Sequence, residues 1–170
     1  MTPAASNPAA GIAKEAATAA LLLAVAAEAR KAGVFGEITV GPGRVECAAL
    51  ASASPAFYRF ERDGDGFWVA LVMKDRWQSQ SIEADLINTG DKLEDLIAEE
   101  VGEVGFAGDA RTTCEHFRSE DKHFTFRSRV PVHLNDAAAA REAEKTALQW
   151  LLGYEACFRR LGDMEGGDED

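Results

Sequence analysis

The side chains best suited to metal binding or nucleophilic chemistry are concentrated in one segment, residues 114–133. The chain has three histidines, and all of them lie in this segment: His116, His123 and His133. Cys114 precedes the first histidine by two residues, so both side chains share a face if the segment is a β-strand. Imidazole and thiolate are zinc ligands, and either group can also serve as a base or a nucleophile.

Whether His123 joins Cys114 and His116 depends on the register of the predicted hairpin. Pairing of His116 with His123 would bring three ligands together, whereas a slip of one residue would move His123 to the opposite face. The slipped register places Cys114 and His116 among Phe124 and Phe126. Because no C-x-x-C or H-x-x-x-H spacing is present, the pattern favours polar residues of a half-exposed sheet over a zinc site. A metal-dependent binder or enzyme that uses Cys114, His116 and His123 is the alternative.

A second candidate for metal binding is the sequence ERDGDGFW at residues 61–68, with acids at alternate positions. With Glu61 at the first position of a calcium loop, Asp63 and Asp65 occupy the third and fifth positions. The twelfth position, which requires a bidentate glutamate, is then Val72. Repeated Asp-Gly between two apolar runs is instead typical of a β-hairpin turn, so we predict a turn and no metal.

Other motifs of catalysis and nucleotide binding are absent from the sequence, including G-x-S-x-G, the P-loop and G-x-G-x-x-G after a strand. Gly102, Gly105 and Gly108 follow a predicted helix and are interpreted as its end and a linker. A charged patch on a solvated sheet face is predicted for five residues: Glu83, Asp85, Glu115, Arg127 and Arg129. No catalytic, cofactor-binding or metal-ligating residue is assigned, and the protein is predicted not to be an enzyme.

Composition and charge restrict the class of protein and the class of partner. The 170 residues are 46% apolar and 28% charged, which is typical of one globular domain. The net charge of −11 disfavours binding to nucleic acid or to anionic membrane surfaces. We predict a tail over residues 1–11, a single domain over 12–162 and an acidic tail over 163–170.

Cysteine usage and the N-terminal sequence bear on the cellular compartment. Three widely spaced cysteines, Cys47, Cys114 and Cys157, do not resemble a disulfide framework and favour a reducing cytoplasm. The apolar run at residues 16–27 resembles the core of a secretory signal, but Glu15 cancels the charge of Lys14 before it. A buried helix is the favoured interpretation, with a cleaved signal as the alternative.

Hydrophobic periodicity predicts the order of the elements. Strands are predicted at 57–62, 67–73, 78–86, 111–117 and 123–132, with a weaker extended pair around 41–43. Helices are predicted at 12–32, from Asp91 to about Gly105, and from Asn135 to Leu161 with Gly162 as the stop. The predicted fold class is α+β, with a mainly antiparallel sheet of about five strands and helices on one face, in the order α-β-β-β-α-β-β-α.

The last helix has more apolar surface than one core stripe requires. Its main stripe is formed by seven residues: Ala147, Trp150, Leu151, Tyr154, Cys157, Phe158 and Leu161. Leu148 and Leu152 lie outside that stripe. Either the helix packs on two sides within the domain, or Leu148 and Leu152 contact another chain, and we predict them as a partner interface.

The element order, the run HFTFRSRVPV at 123–132 and the long helix through ALQWLLGYEACFRRLGD resemble the type III secretion chaperone-like fold group, which includes the YbjN-like sensory transduction regulators. The resemblance implies a non-enzymatic protein without a cofactor, and its chaperones dimerise and bind extended segments of client proteins. The resulting expectation is a cytoplasmic, chaperone-like or regulatory protein-binding module, working as a homodimer, with a protein partner or client.

Overall fold

The computed structural model describes residues 8–50, 52, 54–134 and 137–163 of the chain. Its helices are α1 (Pro8–Ala32), α2 (Arg76–Thr89), α3 (Leu93–Glu103) and α4 (Ala137–Asp163). Its strands are β1 (Phe35–Gly41), β2 (Arg44–Ala49), β3 (Ala56–Asp63), β4 (Gly66–Met73), β5 (Cys114–Arg118) and β6 (Phe124–Val130).

The six strands form one antiparallel sheet in the order β1-β2-β3-β4-β6-β5. Neighbours in this order are also neighbours along the chain except for β4 and β6, which α2, α3 and β5 separate. Helix α1 packs on β1 and β2, whereas α4 packs on β3, β4 and β6. The predicted α+β class is confirmed, with six strands and four helices in the described residues instead of about five and three.

The core lies between the helices and one face of the sheet. Its largest fully buried side chains are Trp150, Tyr154, Phe60, Phe126, Leu22 and Ile97. Strand β4, predicted to be central because it is apolar on both faces, pairs with β3 on one side and β6 on the other. The hydroxyl of Tyr154 lies 2.7 Å from Ser128 Oγ and joins α4 to β6 inside the core.

Residues 78–86 belong to a helix, so the predicted strand was wrong. Helix α2 begins after Asp75, whose carboxylate accepts hydrogen bonds from the backbone N–H groups of Trp77 and Gln78 at 2.7 and 3.3 Å. It ends at Gly90, which has a φ of 75° and caps the helix in the left-handed conformation. These two residues bracket the helix and are the sequence signals that the strand prediction overlooked.

The alternating pattern was misleading because it is also compatible with a helical period over so short a segment. Ser79 and Ile82 are the buried residues of α2, and their spacing of three places them on one face of a helix. The exposed side of α2 is partly apolar, since Trp77 and Ile87 are both largely solvent-accessible. Residues 78–86 are therefore helical because the narrow stripe of Ser79 and Ile82 packs against the core, and not because one side of a strand is buried.

The start of α3 also differs from the prediction. Its N-cap position is Lys92, which makes no side-chain cap hydrogen bond, so Asp91 and Glu94 do not form a capping box. The helix is fixed instead by its buried face, where Leu93, Ile97 and Val101 pack in the core.

Helix α4 continues to Asp163 and therefore passes through Gly162, the predicted stop. Asn135, the predicted cap, lies outside the described residues. Leu148 and Leu152 are half-buried and pack against the core cluster, so α4 is packed on more than one side within the domain. A contact of these two leucines with another chain stays a prediction.

Helix α1 buries only part of the stripe that its sequence predicts. The apolar spacing predicts a stripe of Ile12, Ala16, Ala19, Leu23 and Ala26, widened by Leu22 and Val25. Of these, Leu22, Val25 and Ala26 are buried together with Leu21 and Ala29, whereas Ile12 and Leu23 are largely exposed. No helix within the described residues combines the length and apolar character that crossing a bilayer requires.

Candidate functional site

The cysteine and histidine segment does not converge on one site. Strand β5 pairs with β6 so that Cys114 lies opposite Ser128 and His116 lies opposite Phe126. This register is shifted by three residues, not one, from a pairing of His116 with His123, and the odd shift likewise places His123 on the opposite face of the sheet from Cys114 and His116. Throughout the described ranges there is no group of three or more His, Cys, Asp or Glu residues placed to hold a metal ion.

His116 instead joins β5 to α2. Its Nδ1 lies 2.9 Å from Glu83 Oε1, and its Nε2 lies 3.0 Å from Ser79 Oγ. The imidazole stacks on Phe126, with ring centroids 3.9 Å apart and an interplanar angle of 9°. Desolvation lowers the pKa of His116, and the nearby Glu83 carboxylate opposes this shift. In the neutral ring that satisfies both partners, Nδ1 donates to Glu83 and Nε2 accepts from Ser79.

A serine, a histidine and a carboxylate in this connectivity resemble the relay that activates a serine nucleophile. Ser79, however, is only 2% exposed, so a substrate cannot reach its hydroxyl in this conformation. The arrangement therefore acts here as a brace that holds α2 against the edge of the sheet. Sequence reasoning missed it because residues 78–86 were assigned to a strand.

The acidic run at 61–68 is a turn, as predicted. Asp63 pairs with Gly66 at the end of the β3–β4 hairpin, and Gly64 has a φ of 64°. The carboxylates of the turn face arginines of β6: Asp63 lies 2.9 Å from Arg127 Nη1, and Asp65 lies 3.7 Å from an Nη of Arg129.

The most distinctive surface is the side of the sheet opposite the helices, which we call the open face. Alternation along β2 to β6 places on it the side chains of Arg44, Glu46, Phe57, Arg59, Glu61, Trp68, Ala70, Val72, Glu115, Phe117, Thr125, Arg127 and Arg129. Most of their neighbours along β2, β3 and β4 belong to the core cluster.

One row across the open face is a ladder of ion pairs around a small residue. Glu46, Arg59, Ala70, Arg127 and Glu115 lie opposite one another on five consecutive strands of the sheet. Arg59 Nε lies 2.6 Å from Glu46 Oε2, and Arg127 Nε lies 2.7 Å from Glu115 Oε2. Both arginines flank Ala70, which is fully buried although no described helix covers this side.

Arg127 is also stacked on aromatic rings. Its guanidinium carbon lies 4.1 Å from the centroid of Trp68 and 5.2 Å from that of Phe117. Hydrogen bonds to Glu115 and Asp63 raise its pKa above the ordinary value, although desolvation is the largest single effect and acts in the opposite direction. The side chain is 20% exposed and therefore forms a rigid cationic centre of the open face.

Further along the open face, desolvation raises the pKa of Glu61, although Arg59 and Arg44 lower it.

A cavity of about 210 Å³ lies at the other end of the open face, beyond the ladder of ion pairs. It is lined by eight residues: Glu46, Pro55, Phe57, Arg59, Val72, Met73, Lys74 and His123. Phe57 and Val72 are cross-strand neighbours and provide its apolar part. The open face thus combines aromatic, apolar and paired charged groups.

The predicted charged patch is only partly assembled. Glu115 and Arg127 form an ion pair on the open face, and Arg129 lies next to them on the same strand face. Glu83 belongs to α2 and bonds His116 instead, and Asp85 also lies on α2. Arg59 and Trp68 were missed as site residues. The alternation of β3 indicated the face of Arg59, whereas the uninterrupted apolar run of β4 gave no signal for the face of Trp68.

Comparison with known protein families, with curated proteins and with solved structures finds no match to this chain. The chemistry of the open face and of the adjacent sheet edge is therefore the basis on which a function is proposed.

Proposed function

We propose that this protein is a non-enzymatic protein-binding module whose partner docks on the open face. The observation that carries the proposal is the stacking of Arg127 between Trp68 and Phe117 on a face that no described helix covers. Arginine and tryptophan dominate the binding energy of many protein interfaces because they combine large contact area with directed hydrogen bonds. Held rigidly by Glu115 and Asp63, Arg127 loses little side-chain entropy on binding.

Charge also distinguishes the open face from the rest of the molecule. The chain carries a net charge of −11, but the open face has four arginines, Arg44, Arg59, Arg127 and Arg129, against three carboxylates, Glu46, Glu61 and Glu115, with Asp63 at the adjacent turn. A partner approaching this face is therefore not repelled by the excess of acidic groups, even if the partner is itself acidic.

Strand β5 adds a free edge next to Phe117. The backbone N–H of Cys114 donates to Glu94 Oε1 at 3.5 Å, while the N–H of Ser119 donates to the carbonyl of His123 at 2.8 Å. Alternate residues direct their backbone groups to opposite sides, so the backbone groups of His116 and Arg118 point away from β6. We infer that an extended segment of the partner adds to this edge and places side chains beside Phe117.

A chaperone-like or regulatory role and a homodimer are parts of the same proposal. The resemblance to type III secretion chaperone-like proteins supports the role. That resemblance was based on the predicted order α-β-β-β-α-β-β-α, whereas the structure has four consecutive strands followed by two adjacent helices before β5. The homodimer is tested by light scattering of the wild type and of the Leu148→Glu, Leu152→Glu double variant. A monomer at all concentrations in the wild type would remove the dimer from the proposal.

The docking surface is tested with a photo-reactive phenylalanine analogue placed at Phe117 in the full chain. A discrete adduct with another protein is expected at this position and not with the analogue at Ile87, which is exposed on α2. The adduct should be lost when Arg127→Glu is combined with the analogue, provided that the folded variant keeps its circular dichroism spectrum. An adduct that is insensitive to Arg127→Glu, or equal at both positions, would contradict docking on the open face.

A hydrolytic function is the second candidate, and the hydrogen-bonded order Ser79, His116, Glu83 is the observation that favours it. It requires displacement of α2, because Ser79 is buried. A fluorophosphonate probe should then label Ser79, and labelling should disappear in Ser79→Ala and in His116→Gln. A metal-dependent version that uses Cys114, His116 and His123 together is not proposed, because His123 lies on the opposite face of the sheet from the other two.

A further inference from the structure

A cavity of about 440 Å³ at one end of the sheet is lined by four residues, three of them cationic: Lys74, Arg76, Arg118 and Phe124. Strand pairing brings them together from distant parts of the sequence. Met73, the last residue of β4, lies opposite Phe124, and Phe124 lies opposite Arg118 at the end of β5. Lys74 follows β4 directly, and Arg76 is the first residue of α2.

The three cations lack acidic partners. None of Lys74, Arg76 and Arg118 forms an ion pair with a carboxylate of the described residues. Arg118 makes a cation–π contact instead, since its guanidinium carbon lies 5.6 Å from the ring centroid of Phe124. All three side chains are exposed, and they line one cavity of a chain with 29 acidic and 18 basic residues, so positive charge is concentrated at this point of the surface.

The nearest carboxylate along the chain, Asp75, is committed elsewhere. It caps α2 by accepting hydrogen bonds from the backbone of Trp77 and Gln78, and it accepts a third from the hydroxyl of Ser54 at 2.9 Å. Asp75 does not line the cavity. The amide groups of the α2 N-terminus are accordingly satisfied, and the cationic side chains themselves form the site.

No acid of the neighbouring elements lines the cavity, and two of these acids are engaged elsewhere. In the β5–β6 turn, Asp121 accepts from the Ser119 hydroxyl at 2.6 Å and lies 3.1 Å from His123 Nδ1. On α2, Glu83 bonds His116. Because three cations and no acid line this cavity, an anion from outside the domain would meet a favourable potential there.

We propose that the cavity lined by Lys74, Arg76, Arg118 and Phe124 binds an anionic side chain of the partner's extended segment. This inference rests on the proposed function and specifies the chemistry of the partner. Two guanidinium groups can form bidentate hydrogen bonds with a carboxylate or a phosphate, while Phe124 contacts the apolar part of the side chain.

The position of Arg118 explains why the ligand is a polypeptide. Arg118 contributes its side chain to the cavity and directs its backbone groups outward at the free edge of β5. A strand that pairs with these groups passes within one or two residues of the cavity, at roughly 3.3 Å per residue. Nucleic acid would not form the backbone pairing, and it is repelled by the net charge of −11.

The test measures fluorescence anisotropy of labelled peptides on the full chain. Three peptides share one alternating Val-Thr sequence and differ at a single pair of positions, which carry glutamate, phosphoserine or glutamine. The glutamate or the phosphoserine peptide should bind about tenfold or more tightly than the glutamine peptide, and higher salt should reduce the difference. Equal binding of all three peptides would overturn the proposal, as would competition by inorganic phosphate without any difference between the peptides.

A double charge-reversal variant tests whether the preference for anionic peptides depends on the cavity residues. Arg76→Glu with Arg118→Glu should abolish the preference for the anionic peptides. Arg141→Glu with Lys145→Glu changes the net charge equally at exposed positions of α4 and should retain it. An equal loss in both double variants would overturn the assignment of the site to the cavity.

Failure of this inference can be told apart from failure of the proposed function. If only the inference fails, the adduct at Phe117 persists in the Arg76→Glu, Arg118→Glu variant and the peptides bind without regard to charge. If the proposed function fails, no specific adduct forms at Phe117 in the wild type.

Discussion

The guanidinium of Arg127 lies over the ring of Trp68 at 4.1 Å, although the two residues are not direct cross-strand partners. Trp68 lies opposite Arg129, whereas Arg127 lies opposite Ala70. The contact is therefore diagonal between neighbouring strands, at a separation that only long or aromatic side chains can bridge. The small side chain of Ala70 leaves the space that the diagonal contact requires.

Replacement of Arg127 by alanine should lower the free energy of unfolding by about 1–2 kcal/mol. The variant loses stacking on Trp68 and leaves Glu115 and Asp63 without their partner, but solvent at the partly exposed site moderates the loss. Urea unfolding followed by circular dichroism measures the change.

The matched control is Arg129→Ala on the same strand face. Arg129 is 57% exposed and its one ion pair, with Asp65, is 3.7 Å long, so the cost should be below about 0.5 kcal/mol. Equal losses in the two variants would contradict the central role of Arg127 in ordering the open face.

Acidification should weaken the brace between His116 and α2. Because desolvation lowers the pKa of His116 in the folded protein, the unfolded chain binds the proton more readily. Stability should therefore be lost as the pH falls below the ordinary value of 6.5. Urea unfolding between pH 5 and pH 8 should show a steeper loss for the wild type than for His116→Gln, and parallel profiles would contradict this assignment.

A pair of glycine variants tests the packing of α4 on α3. A methyl group at Gly153 would lie 2.6 Å from Val101 Cγ2 and 3.0 Å from its Cα, so Gly153→Ala should destabilise the protein by about 1–3 kcal/mol. In α3 itself, a methyl group at Gly102 meets nothing within 4 Å. Gly102→Ala should therefore stabilise the helix by up to about 1 kcal/mol. Thermal unfolding should show a lower melting temperature for Gly153→Ala and a higher one for Gly102→Ala than for the wild type.

The cap of α2 is tested by Asp75→Ala. Loss of the carboxylate removes the acceptor for the backbone N–H groups of Trp77 and Gln78. Hydrogen exchange should accelerate in α2 while α4 is unchanged, and Asp75→Asn should preserve most of the protection. Unchanged exchange in Asp75→Ala would show that tertiary packing alone holds the helix.

Prediction from sequence succeeded where local signals agreed with one another. Asp-Gly repeats between apolar runs predicted the turn at residues 63–66, and the uninterrupted apolar run of β4 predicted a central strand. It failed at residues 78–86, because a short alternating pattern was taken as a strand while the cap at Asp75 and the stop at Gly90 were overlooked. For α1 it placed Val25 and Ala26 correctly in the buried stripe but also included Leu23, which is 61% exposed, because an alanine-rich helix carries little information about which side faces the core.

By itself, the sequence determined the α+β class, the hairpin turn and most strand positions, because alternation, turn residues and helix formers act over short stretches of chain. Only the tertiary structure decided that β4 pairs with β6, that Arg127 reaches Trp68, and that Lys74, Arg76 and Arg118 surround one cavity. Each of these depends on contacts between residues more than 40 positions apart. Such contacts are selected by the burial of the whole core and by strand register, which no local pattern specifies.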